Sequence, residues 1–191
     1  LAYLIEEPET AKEFFKKMGD YKIALIDKVL KEFAPVDGFI NSDDWGTQQS
    51  MFISPDLYRY LIKDEMIRIT KHVHAQGKYI DYHSCGKCGP LADDMVKMGA
   101  DMWEAQNMND LVAIRKQFGN SLPIQIMMDN KFLATPGLAR EDIAAYIRNF
   151  VDTYAGEGGL FTMTMHENPE TAEFMASELY EYSSWYYKKL D

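Results

Sequence analysis

The chain alternates between two kinds of pattern. After an opening helical stretch, five short apolar runs each end in polar residues, and each is followed by a helix pattern. The runs occupy residues 37–41, 78–82, 101–105, 123–128 and 160–165. Short apolar strands alternating with helices imply a parallel sheet with right-handed crossovers. No Gly-x-Gly-x-x-Gly follows any of the strands, so a dinucleotide-binding sheet has little support. The predicted fold class is therefore α/β, with five strand–helix units.

The helices between the runs have recognisable ends. Pro8-Glu9-Thr10 opens the first, and apolar residues recur at helical spacing from Phe14 to Phe33. The pattern pauses at Gly19-Asp20, which leaves one long helix or two. Ser54-Pro55-Asp56 reads as an N-cap with proline at the first helical position, and the helix it starts reaches about Gln76, with a division near Asp64 left open. Residues 91–98 read as a helix stopped by Gly99, and 110–118, 141–154 and 169–190 as three more. There is no internal repeat, low-complexity segment or inter-domain linker, so residues 1–191 read as a single domain or one piece of a larger one.

Polar residues collect where the strands run out: Asp43 and Asp44, His83 and Cys85, Glu104 and Gln106, Asp129, and His166. A (β/α)8 barrel places its active site at those strand ends. The densest stretch is 77–90, Gly-Lys-Tyr-Ile-Asp-Tyr-His-Ser-Cys-Gly-Lys-Cys-Gly-Pro. In a strand, residues i and i+2 point the same way, so His83 and Cys85 present an imidazole and a thiol on one side. A nitrogen–sulfur pair of that kind suits zinc. The plainer alternative is a buried histidine and a buried cysteine closing a strand. Asp43 and Asp44 equally suit loop capping, Asp129 an ordinary turn, and His166 a satisfied loop histidine.

Composition narrows the partners. Hydrophobic residues make up 47% of the chain, enough for a core, and the net charge is −10, which disfavours nucleic acid and an anionic membrane surface. No apolar run is long enough to span a membrane. The two cysteines, Cys85 and Cys88, are too close for a disulfide framework, which points to a reducing, cytoplasmic setting.

Asp43-Asp44-Trp45-Gly46, Ile53-Ser54-Pro55, His83-Ser84-Cys85-Gly86 and Gly99-Ala100-Asp101, in this order, resemble the uroporphyrinogen decarboxylase superfamily, and within it the corrinoid-linked methyltransferase branch. Asp129, Gly158-Gly159 and His166-Glu167-Asn168 fit as well. The resemblance implies the C-terminal five strand–helix units of a TIM (β/α)8 barrel, with the N-terminal three strands absent. It implies zinc bound by His83 and Cys85, a corrinoid carried on a partner protein, and a small-molecule methyl donor or acceptor. The branch usually adds a last-strand cysteine, where this chain has Thr164-Met165-His166. His166 is then the expected third ligand, with Cys88 as the alternative. Glu104, Asp129 and Asp44 are the candidate catalytic carboxylates. Two other readings stand beside this one: a cofactor-free decarboxylase, and a non-catalytic fragment that binds a partner. Five strands alone would leave open edges, so a second copy, a complementing chain or an N-terminal half outside this sequence is expected to cover them.

Overall fold

A computed structural model describes residues 2–33 and 35–190, and for Asn130 the backbone only. A short helix α1 (Ala2–Glu6) leads into α2 (Pro8–Glu32), whose proline stands in the first turn, where a missing N–H costs nothing. The helix is continuous through Gly19-Asp20. Its glycine serves packing instead: a Cβ on Gly19 would lie 2.4 Å from Glu65 Oε2 and 2.7 Å from an Arg68 guanidinium nitrogen.

The strand β1 (Gly38–Ser42) is followed by α3 (Pro55–Leu61) and α4 (Lys63–Ala75). Ser54 caps α3 as expected, its Oγ accepting from Leu57 N at 3.1 Å. The division comes at Ile62, just before the expected Asp64. Next come β2 (Tyr79–His83), a single 3-10 turn (Gly89–Leu91), α5 (Ala92–Met98) and β3 (Met102–Ala105). Gly99 ends α5 with a left-handed φ of 81°.

These elements make the first of two compact units, Leu1–Asn109; the second is Asp110–Asp191. In the first, β1 pairs with β2 and β2 with β3, all parallel. One face of that ladder is packed: Ile80, Tyr82, Trp103 and Ala105 are buried. The residues alternating with them, Tyr79, Asp81, His83, Met102 and Glu104, share the other, less covered face. A row of polar groups can stand there because hydration is not fully lost.

The second unit carries α6 (Leu111–Phe118), β4 (Ile124–Ile126), the four-residue α7 (Asn130–Leu133), α8 (Arg140–Tyr154), β5 (Leu160–Phe161) and α9 (Pro169–Lys188). β4 and β5 pair in parallel, and both are shorter than the sequence pattern predicts. Arg115 is buried in this unit. Its guanidinium donates to the carbonyls of Tyr154, Gly119 and Ala155 at 2.9–3.0 Å and to that of Gly158, so one side chain joins the end of α6 to the turn that closes α8. Arg148 with Glu178, and Tyr182 with Asp152, tie α8 to α9.

Candidate metal centre

Two strand ends build the site, and a glycine lets them meet. Where β1 runs out, Asp43 N donates to His83 O at 3.1 Å, extending the ladder by one bond. Trp45 is buried, its ring 4.7 Å from that of Tyr58, and its backbone N donates to Ser84 Oγ at 3.1 Å. Gly46 then crosses Gly86 so closely that a Cβ on Gly86 would fall 2.2 Å from the Gly46 carbonyl carbon. Gly86 also has a φ of +93°, which disfavours any side chain. The crossing delivers Asp44 to the stretch after β2, where its Oδ1 accepts from Cys85 N at 2.9 Å.

Asp44, His83 and Cys85 offer one ligand atom each, all within 4.8 Å of one another; among the described residues this is the group that could hold a metal ion. His83 Nε2 lies 3.3 Å from Cys85 Sγ and 3.8 Å from Asp44 Oδ1. Donor atoms around tetrahedral zinc stand roughly 3.3–3.8 Å apart for bonds of 2.0–2.3 Å. A carboxylate oxygen, an imidazole nitrogen and a thiolate sulfur are all zinc donors. The donor set and its spacing therefore fit the ion.

Neighbouring side chains aim these donors. Glu104 Oε2 lies 3.1 Å from His83 Nδ1. A carboxylate can only accept, so the ring proton stays on Nδ1 and the lone pair of Nε2 faces Cys85. Gln106 Oε1 accepts from Gly86 N at 2.7 Å, which turns its Nε2 to donate to Cys85 Sγ at 3.4 Å. Asn109 closes the same loop: its Oδ1 accepts from Gly89 N at 2.6 Å and its Nδ2 donates to Gly86 O at 3.1 Å.

The charges are arranged for a cation. Hydrogen bonds from the backbone and side chain of Cys85 hold the Asp44 carboxyl below its usual range, against some burial, with His83 adding to the effect. The same carboxylate pushes the Cys85 thiol up, with burial assisting and Gln106 opposing. A proton held between a thiol and a carboxylate marks a place that a metal ion can take over.

The other expected residues are placed as follows. Cys88 is buried, its Sγ 3.2 Å from Ser84 Oγ and donating to Cys85 O at 3.3 Å, so it faces the loop and stands outside the trio. Asp43 is paired with Lys22. Asp129, in the second unit, caps α7, its Oδ1 accepting from Lys131 N at 2.9 Å. His166, after β5 in the second unit, accepts from Asn168 N at 3.0 Å through Nδ1. His72 and His74 pair with Asp27 and Asp101 on the outside of α4. The roles of Gln106 and Asn109 were not read from the sequence; a strand-end amide does not reveal which backbone groups it will serve.

Comparison with known proteins fits this architecture. A methyltransferase from Methanosarcina mazei has a similar structure, with a TM-score of 0.69 and 15% identity. The similarity covers 97% of this chain and 52% of that one, so the chain spans about half the length of that protein. It shows the fold: strand–helix units forming part of a (β/α)8 barrel. No curated protein matches the chain. The profile named Uroporphyrinogen decarboxylase (URO-D) matches residues 1–178, nearly the whole sequence, and the chain belongs to that family.

Proposed function

We propose that the chain is part of a zinc-dependent methyltransferase that moves a methyl group to or from a corrinoid carried on a partner protein. The observation behind this reading is the trio of Asp44, His83 and Cys85 at the strand ends. The similarity to the Methanosarcina mazei methyltransferase supports it. Three protein ligands leave the fourth position open, as catalytic zinc sites do.

Zinc bound here would lower the thiol pKa and polarise a substrate atom at the open position. The residues of the chain do the rest. Glu104 holds the His83 ring in the tautomer that presents Nε2. Gln106 donates to the Cys85 sulfur and restrains its rotamer. Asp44 supplies the third donor, taking the place expected of His166. Asp129 is the remaining candidate for acid–base work, in the second unit. A small-molecule methyl donor or acceptor completes the reaction, and a reducing cytoplasm keeps both cysteines as the free thiols seen here.

Metal analysis of protein purified without chelator tests the proposal. About one zinc per chain is expected, lost in Cys85→Ser and His83→Ala and retained in His166→Ala. Zinc retained in Cys85→Ser but lost in His166→Ala would overturn the ligand assignment. No zinc in any sample would overturn the metal reading and return weight to a decarboxylase or a non-catalytic binding role.

A further inference from the structure

Beside the trio, in the same unit, lies a cavity of about 270 Å³. Its apolar lining includes Leu4 of α1, Phe14, Phe15 and Met18 of α2, and Phe52 and Ile53 of the loop before α3. Lys22, Asp43 and Asp44 lie together at its polar end. Asp44 is thus shared: it faces the cavity, and its Oδ1 stands 3.8 Å from His83 Nε2.

We infer that this cavity binds an uncharged, single-ring small molecule whose ring lies among Phe14, Phe15, Met18 and Phe52 and whose polar or methyl-bearing end faces Asp44. Size supports this, since the volume falls just under the ~300–1,000 Å³ of pockets for drug-sized ligands. About 270 Å³ suits one ring with a short substituent. Charge supports it too. The Lys22 ammonium donates to Asn41 Oδ1 at 2.8 Å and is paired with Asp43, so among the described lining residues no free cation remains to bind a ligand carboxylate. Asp44 is committed to the metal, so no free carboxylate remains for a ligand cation. This last step rests on the metal assignment; the volume and the apolar lining do not.

The inference deepens the proposed function by naming the small molecule's class. Asp44 borders both the cavity and the His83–Cys85 pair, so a substituent at that end would lie beside the residues that would hold the metal.

Ligand-observed NMR with anisole, tetramethylammonium and benzoate tests it, on the chain both zinc-loaded and chelator-treated. Anisole is expected to bind saturably in both forms. Met18→Trp, which fills the cavity from the exposed side of α2, and Phe52→Ala, which removes a loop wall, are each expected to weaken anisole by about tenfold or more. Circular dichroism identifies which variants remain folded. The inference is overturned if anisole does not saturate, if both folded variants bind it as the parent does, or if either ion binds the zinc-loaded form as tightly. Zinc uptake without anisole binding defeats the cavity alone, and anisole binding without zinc uptake defeats the metal reading alone.

Discussion

Glu104 Oε2 lies 3.1 Å from His83 Nδ1, and the two residues stand directly opposite each other in the parallel ladder of β2 and β3. The sheet register itself therefore orients the imidazole. Carboxylates that hold a ligating histidine typically change metal affinity by about 10–100-fold when removed. Glu104→Ala is expected to weaken zinc binding by that much while leaving the fold intact, since Glu104 is on the less covered face. Competition against a coloured chelator measures it, and an unchanged affinity would remove Glu104 from the site.

Metal binding should rise with pH. The Asp44 hydrogen bond, helped by burial, pushes the Cys85 thiol above its ordinary value of 9.0, so without metal it carries its proton at neutral pH. Binding must expel that proton, and affinity gains up to about tenfold per pH unit until pH passes the raised thiol value. Calorimetry in buffers of different ionisation enthalpy should show about one proton released per zinc near pH 7. Release of none would mean that the sulfur is not a ligand.

Gly86 is the crossing point of the two strand-end loops. A methyl group there meets the Gly46 backbone at 2.2 Å and must also adopt a φ of +93°. Strain of about 1–3 kcal/mol and a comparable overpacking cost are expected. Gly86→Ala should therefore lower the denaturant midpoint and, even where folded, separate Asp44 from Cys85 and abolish zinc binding. Gly77→Ala is the control: its φ of +68° carries the backbone strain, but nothing lies within 4 Å. Equal losses in both variants would refute the role of the crossing.

Much of this was legible in the sequence because it is local. Ser54-Pro55 and Gly99 act within one helix turn, and the i, i+2 relation of His83 and Cys85 follows from strand geometry alone. What was missed is long-range. Asp44 reads as a possible acid–base group or loop cap until Trp45 N finds Ser84 Oγ, 39 residues away, and carries the carboxylate to Cys85. Gly19 looks like a break until Glu65 and Arg68 of α4 are seen to cross it. The four-residue α7 has too few residues for a periodic signal, and only its Asp129 cap announces it. β5 ends at Phe161 although apolar Met163 and Met165 continue the alternation, so pattern alone overextends it.

Asp94 joins α5 to α3 and α4. It is buried, and its carboxylate accepts from Arg59 Nε at 3.0 Å and Lys63 Nζ at 2.7 Å. Burial by itself would raise this carboxyl, but the hydrogen bonds and charges of Arg59 and Lys63 prevail and hold it below 3.8. A folded-state value below the unfolded one means that the unfolded chain binds the proton more readily. The stabilisation is therefore complete above the unfolded value and is lost as pH falls through it toward the folded value. Asp94→Asn removes the charge and leaves Arg59 and Lys63 without this partner. The expected cost at neutral pH is about 2–3 kcal/mol, below the usual range for breaking a fully buried pair because Arg59 is partly exposed. The variant should also show a shallower loss of stability below about pH 4, because it lacks the group whose protonation drives that loss. Urea titrations at neutral pH and at pH 3 measure both effects. Parallel acid slopes in parent and variant would show that Asp94 does not carry this pH dependence.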